Sequence, residues 1–155
     1  MAKKTSKKPV LTVPTGIPGI DDQHNTLFIL CRDLLAALEK NKASTDSSAA
    51  DLKVIIENLK THITTEENLL VMIGFPGLED HKSRHNKLLV QLKELQKSLK
   101  TRDVSESSRM FKDFYDDMQT HLSVYDQEYT VHIEKLLSLR KKFNISALTA
   151  RILVE

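Results

Sequence analysis

Apolar residues recur at intervals of three and four along most of the chain, which is the period of an amphipathic helix. Four such stretches are separated by short polar or glycine-containing breaks. The first helix is expected to begin near Asp21 or Asp22, the second to end at Gly74, and the third to begin near Glu79 or Asp80. The pattern predicts an all-α fold, an antiparallel up-down-up-down four-helix bundle joined by short loops.

Two segments flank the predicted bundle. Residues 1–9 are basic, and we expect a disordered tail there. Residues 10–20 contain proline, glycine and apolar residues, which favours an extended N-terminal arm lying across the helices. The bundle is expected to be one domain over residues 10–140. Residues 141–155 form a C-terminal extension, in which residues 144–155 have the pattern of a short fifth helix.

The composition argues against several classes of protein. Lys and Arg number 23 against 21 Asp and Glu, and the two signs are interspersed, so a nucleic-acid partner is not indicated. The chain has neither the apolar core of a secretory signal nor the roughly 18 apolar residues of a membrane span. We therefore expect a cytoplasmic protein without a membrane partner. Cys31 is the sole cysteine and is expected to be a small core residue.

Seven ionisable residues lie on or beside the apolar stripes, where an unpaired polar group is costly. Two pairs of them are spaced i, i+4, so each pair faces one side of its helix. Imidazoles and carboxylates arranged in this way are metal ligands or proton-transfer groups. The seven residues are His24, His62, Glu66, His81, His85, His121 and Asp126.

Helix length brings these seven residues to one height in the bundle. With a rise of ~1.5 Å per residue, each set lies roughly 20–30 Å from the same end of the bundle. His121 and Asp126 are spaced i, i+5, which separates them by about 140° on a regular helix. Either they flank a site wide enough for two metals, or the fourth helix carries a π-bulge between them. The sequence thus predicts a single polar layer across the bundle.

The set of donors limits the metal. Five imidazoles and two carboxylates exceed the four ligands of a structural zinc site, and calcium or magnesium would require oxygen ligands. Two octahedral metals with bridging carboxylates and a bridging oxide or hydroxide would use all of the side chains and leave one position open. Iron suits such a site by fit and availability rather than by raw affinity.

The residues around these donors resemble the hemerythrin family, and specifically the bacterial hemerythrins. The resemblance covers roughly residues 13–137. It is carried by four segments: Thr15 to His24, His62-x3-Glu66-Glu67, Gly74-Phe75-Pro76-x4-His81-x3-His85, and His121-x4-Asp126-x2-Tyr129.

This resemblance implies a di-iron cofactor, two Fe2+/Fe3+ ions bridged by oxide or hydroxide. It implies a function as well, which is reversible binding of O2 at the open position, for carriage, storage or sensing. An O2-binding protein is therefore expected rather than an enzyme, and a sensor would need a separate protein partner. The implied ligands are His81, His85 and His121 on one iron, His24 and His62 on the iron that binds O2, and Glu66 and Asp126 as bridges.

The chain departs from the family pattern in the wall of the pocket. Asp117 stands where a tryptophan is often found one turn before the last histidine, and Ile63 replaces a phenylalanine. A methionine common near Leu70 is missing. Met118 and Leu122 are candidates for lining the pocket, although they serve equally well as core residues.

Alternatives remain for the function and for the neighbours of the site. A di-iron enzyme acting on peroxide, O2 or nitric oxide is the second hypothesis, although ferritin-like oxidases use glutamates and Glu-x-x-His pairs. A metal-storage or structural bundle is the third. Glu67 is expected to be solvated, with a hydrogen-bonding role as the alternative. Tyr129 supports the site by a hydrogen bond or simply packs in the core, and His132 is expected to be structural.

Overall fold

The computed structural model describes residues 12–40, 45–100 and 104–143, and these residues form helices and no strand. The predicted tail and the predicted fifth helix lie outside the described residues, and the division into domains stays a prediction. No helix in the described part of the chain is long and apolar enough to cross a bilayer. The elements are α1 (Pro18–Glu39), α2 (Thr45–Met72), α3 (Leu78–Lys100), α4 (Val104–Thr120), a π-helical segment (His121–Tyr125) and α5 (Asp126–Lys142).

The bundle has four limbs, because α4, the π-helical segment and α5 follow one another without a break. α1 packs against α2 and α4, and α3 packs against the same two helices. Neighbours in sequence are therefore neighbours in space, and the first and fourth limbs close the ring. The prediction of an all-α, antiparallel four-helix bundle is confirmed.

The apolar stripes of all four limbs meet in one core, as their spacing predicts. Cys31 lies within it with its Sγ 3.7 Å from Met118 Sδ, and burial raises the pKa of its thiol to about 12. It is a core residue, as expected. The apolar members of the core are Leu27, Leu34, Leu38, Leu52, Ile55, Leu59, Ile63, Leu88, Leu92, Leu95, Leu99, Phe111, Phe114, Met118 and Leu122.

The predicted start of α1 at Asp21 or Asp22 is wrong, because the helix begins at Pro18. Proline suits the first turn, where its missing N–H would have no partner in the helix. The Asp21 carboxylate instead accepts hydrogen bonds from the arm, from Thr15 N at 2.7 Å and from Gly16 N at 3.2 Å. Asp21 thus ties the arm to the first turn of α1.

The arm lies across α1 and the π-helical segment. Thr12, Val13 and Pro14 form one wall of a cavity of about 460 Å³, and Phe28 and Leu122 form part of the opposite wall. Val13, one of the apolar residues of the arm, is nevertheless exposed. The position of the arm is determined by the hydrogen bonds to α1 as well as by apolar contact.

The turn between α2 and α3 follows a well-known pattern for the end of a helix. Gly74 has a φ of 61°, a left-handed conformation that glycine adopts at little cost. Gly74 N donates to Val71 O at 3.1 Å and Phe75 N donates to Leu70 O at 3.0 Å, the two bonds of a Schellman motif. The chain therefore reverses at once, and the last turns of α2 lie beside the first turns of α3.

The far end of α5 departs from the bundle core. Periodicity alone puts Leu136 and Leu137 on the apolar face of the fourth helix, yet both are exposed. All residues from 134 to 143 are exposed as well. This end of α5 therefore has no helix covering it within the described part of the chain.

Candidate metal centre

All seven predicted donor residues lie together in the half of the bundle that holds the α2–α3 turn. They come from every limb, and each is at most 2% exposed. The layer predicted from helix length is therefore present in the structure. α1 contributes His24, α2 contributes His62 and Glu66, α3 contributes His81 and His85, and the π-helical segment and the start of α5 contribute His121 and Asp126.

Glu66 lies at the centre of the layer. Its Oε2 is 3.0 Å from His81 Nε2, 3.0 Å from His85 Nε2 and 3.4 Å from His62 Nε2. The i, i+4 spacing on α2 brings His62 to the carboxylate, and the α2–α3 turn brings the two α3 histidines to it. One carboxylate therefore contacts imidazoles that the resemblance assigns to different irons.

Asp126 lies between the remaining histidines. Its Oδ2 is 3.2 Å from His24 Nε2, and its Oδ1 is 3.1 Å from His121 Nε2 and 3.6 Å from His81 Nε2. The two oxygens of this carboxylate thus contact imidazoles that the resemblance assigns to different irons.

The donor atoms form two groups that share Glu66. Within each group the atoms lie within 4.8 Å of one another, close enough to converge on one cation. The histidines divide between the groups as the resemblance implies. The first group is Glu66, His81, His85 and His121, and the second group is His24, His62, Glu66 and Asp126.

The π-helical segment explains how His121 and Asp126 act together despite their i, i+5 spacing. Asp126 N donates to His121 O, which is the hydrogen bond of a π-helix rather than that of an α-helix. Of the two alternatives left open by the sequence, the π-bulge is present. The inserted residue turns Asp126 back toward the layer, and α5 continues from there as a regular helix.

Burial controls the charge of these groups. Burial by itself opposes ionisation of Glu66, but its close contacts with the imidazoles of His62, His81 and His85 outweigh burial and hold the pKa of Glu66 well below its usual range. Burial, with the negative charge of Glu66 and then of Glu128, raises the pKa of Asp126 well above its usual range. Ionisation of both carboxylates is therefore unfavourable in this layer unless a positive charge lies beside them.

Two of the histidines, His24 and His121, have a lowered pKa, which favours the neutral form that binds metals. Burial and the neighbouring His62 lower the pKa of His24 to about 4. Burial, with His85 and then His81, lowers the pKa of His121 to about 2. At neutral pH these imidazoles keep a free lone pair for a metal.

Several donor atoms in the layer have no hydrogen-bond partner among the described residues. They include His24 Nε2, His121 Nε2, Glu66 Oε1 and both oxygens of Asp126. Buried polar atoms are nearly always paired, so a cluster of unpaired ones indicates a missing partner. Imidazole and carboxylate donors around two centres suit a pair of transition-metal ions. The residues present therefore fit a two-metal centre.

Two further residues contact the histidines from outside the layer. Glu67 Oε1 is 3.0 Å from His85 Nδ1, so Glu67 has the hydrogen-bonding role that was only the alternative from sequence. Gln23 Oε1 is 3.3 Å from His62 Nδ1, and Gln23 was not singled out. In the sequence, the only feature that could have pointed to Gln23 is its position directly before His24. The contact itself arises from the packing of α1 against α2.

Tyr129 and His132 lie next to the layer. Tyr129 is fully buried with its ring 6.0 Å from that of His81. Burial, with the charges of Glu66 and then Asp126, raises the pKa of its phenol. His132 Nε2 lies 3.1 Å from Ile73 O at the end of α2, outside the layer. His132 on α5 therefore contacts the α2–α3 turn, which agrees with the structural role expected.

Asp117, which stands where the family often has a tryptophan, has polar surroundings. Asp117 accepts a hydrogen bond from Gln91 Nε2 at 2.8 Å and pairs with Lys87 Nζ at 2.9 Å. It lines a cavity of about 120 Å³ that also has His121 in its wall. Met118, by contrast, is part of the apolar core.

Comparison with known proteins gave one match. The family model of the hemerythrin HHE cation-binding domain matches residues 15–131 of the chain. Neither the curated proteins nor the solved structures returned a match. The matched range contains all seven donor residues and the whole of the layer.

Proposed function

This chain belongs to the hemerythrin family of HHE cation-binding domains, and from that premise we propose that it binds O2 reversibly at a non-haem di-iron centre bridged by oxide or hydroxide. The observation that carries the proposal is the pair of donor groups sharing Glu66, each with its atoms within 4.8 Å of one another. Carriage, storage and sensing are all compatible with such binding. The cytoplasmic location expected from the sequence stays a prediction.

The proposed ligands follow the two groups. Asp126 falls in the second group only, and we assign it as a second bridge because its Oδ1 also lies 3.1 Å from His121 Nε2. With both carboxylates shared, the first position would have three imidazoles and the second two, which would leave room for O2 at the second. When bound, the iron pair would supply the electrons that hold O2 reversibly. The proposed metal ligands are His81, His85 and His121 for the first position, His24 and His62 for the second, and Glu66 and Asp126 as bridges.

The residues beside the second position support binding of O2 without further reaction. Leu27 lies one turn after His24 on α1, and Ile63 follows His62 on α2. Both are buried and belong to the apolar core. Such side chains exclude water and carry no proton donor, so they would not assist O–O cleavage.

A di-iron enzyme acting on peroxide, O2 or nitric oxide is the second candidate. One observation favours it, which is the polar cavity of about 120 Å³ beside His121. Lys87 and Asp117 in its wall are the kind of groups that can pass protons between solvent and a buried site. This route would lead to the first position rather than to the open one.

The test is to load the purified protein with iron without oxygen, measure iron per chain, and record visible spectra during cycles of O2 addition and removal. We expect two irons per chain and a charge-transfer band that appears with O2 and disappears without it. His121→Ala should lower the iron content, whereas His132→Ala, outside the layer, should leave it unchanged. Irreversible bleaching with substrate turnover would favour the enzyme, and a chain that takes up no iron would contradict both candidates.

A further inference from the structure

The histidines of the layer differ in the hydrogen-bond partner of their Nδ1 atom. His85 Nδ1 lies 3.0 Å from a carboxylate oxygen of Glu67, and His62 Nδ1 lies 3.3 Å from the amide oxygen of Gln23. The Nδ1 atoms of His24, His81 and His121 have no hydrogen-bond partner among the described residues. One imidazole in the layer therefore has a charged acceptor, and one has a neutral acceptor.

The position of Glu67 on α2 produces this contact. Glu66 and Glu67 are adjacent, so α2 directs the first into the layer and the second toward the flank of α3. His85 is 1% exposed while the Glu67 side chain is 25% exposed, so the carboxylate reaches water on its outer side. The carboxylate is therefore only partly buried, while it contacts a buried imidazole.

A carboxylate at this position does two things to the ring. As an acceptor for Nδ1–H it selects the tautomer in which Nε2 has a free lone pair, and His85 Nε2 faces Glu66. Its negative charge also attracts the Nδ1 proton. This makes the ring more basic, so Nε2 binds a metal more tightly. An amide oxygen selects the same tautomer, but it carries no charge and strengthens Nε2 less.

We propose that Glu67 is a positioning residue for the first metal position, and that its charge strengthens metal binding there more than Gln23 does at the second. This inference rests on the proposed metal centre but not on O2 chemistry. It predicts that the two positions respond unequally when their outer partners are changed. Glu67→Ala should lower the metal affinity of one of the two positions by about 10–100-fold. Gln23→Ala should lower the metal affinity of one position by a smaller factor.

The experiment uses Co2+ and Zn2+ on the metal-free full chain, so it requires neither iron nor O2. Titration with Co2+, followed by visible absorption, measures the affinity and number of bound metals. Glu67→Gln keeps an acceptor and removes the charge, so we expect an affinity between those of the wild type and Glu67→Ala. The control is Glu57→Gln, an exposed glutamate on the same helix, which should bind as the wild type does.

A second measurement separates positioning from simple loss of structure. NMR of imidazole nitrogens in the Zn2+-loaded chain reports the tautomer of each histidine and the hydrogen bond at Nδ1. We expect the His85 signal to change in Glu67→Ala while that of His62 does not, and the reverse in Gln23→Ala. A folded Glu67→Ala chain that binds both Co2+ ions as tightly as the wild type would overturn the inference.

The outcomes distinguish this inference from the proposed function. Unequal weakening without reversible O2 binding would support the role of Glu67 and contradict the O2 proposal. Reversible O2 binding without any effect of Glu67→Ala would do the opposite. A wild-type chain that takes up neither Co2+ nor Zn2+ would overturn the inference, because it requires a metal position to strengthen.

Discussion

The two ends of the bundle are made by the same limbs with the same helical spacing, but they are filled with opposite chemistry. Away from the α2–α3 turn, leucine, isoleucine and phenylalanine such as Leu38, Leu52, Leu99 and Phe111 fill the space between helices. Toward the turn, imidazoles and carboxylates occupy the equivalent inward positions. The residues of both ends are almost fully buried.

The difference shows that stability and chemistry are divided along the axis of the fold. The apolar end is stable without a ligand, because each fully buried leucine or phenylalanine contributes about 1.5–3 kcal/mol to the free energy of unfolding. The polar end leaves buried donor atoms without partners among the described residues. Under the proposed function, bound metal would supply the missing partners, and the apolar end would hold the helices together in the metal-free protein.

The largest effect is expected from damage to the apolar end. Phe114 is fully buried, and its ring stacks 5.6 Å from that of Phe111. Phe114→Ala should lower the free energy of unfolding by about 3–5 kcal/mol through lost burial and a cavity. Urea denaturation of the metal-free protein measures this change, and metal binding per folded chain should stay the same.

The matched control is Val90→Ala on α3, because Val90 is 54% exposed. That change should alter stability by less than about 0.5 kcal/mol. If folded Phe114→Ala protein bound less metal per chain than the wild type, the two ends would not be independent. The division between an apolar end for stability and a polar end for chemistry would then be wrong.

A smaller effect with the opposite sign is expected from the polar end. The His24 and Asp126 side chains lie 3.2 Å apart with no exposure to solvent. Replacing both with leucine should raise the stability of the metal-free protein by about 1–4 kcal/mol, because apolar residues often stabilise a core more than buried ionisable pairs.

Urea denaturation and metal titration of this double variant belong together. The same change should remove one of the two metal positions, since it deletes two donors of the second group. If the metal-free double variant were less stable than the wild type, the buried polar groups of this end would already be stabilising one another without metal.

The smallest effect concerns the turn that aligns the donors of α2 and α3. Gly74→Ala should cost about 1–2 kcal/mol, the strain of a side chain in the left-handed conformation. The strain is purely conformational, because an added Cβ would meet nothing within 4 Å. Hydrogen exchange should accelerate first in the turn, while the apolar end keeps its protection.

Gly19→Ala is the control for this substitution. Gly19 lies within α1, and its added Cβ also meets nothing within 4 Å. Alanine should stabilise the helix there by about 0.5 kcal/mol. Equal effects of the two substitutions would show that the conformation of Gly74 is not what matters.

Much of this architecture was predictable because helical period and helix length are local properties. The four stripes, the stop at Gly74 and the common height of the donors all follow from spacing along one helix at a time. The start of α1 was mispredicted for a related reason. Asp21 has the form of a helix cap, but Pro18 already begins the helix and Asp21 bonds to the arm instead.

The sequence by itself determined which residue types face inward, and therefore that the bundle has an apolar end and a polar end. Only the tertiary structure decided how the donors divide into two groups and which residues support them. The contact of Gln23 with His62 spans 39 residues and that of Glu67 with His85 spans 18. Such contacts depend on how one helix is rotated against the next, and no pattern within a single helix specifies that rotation.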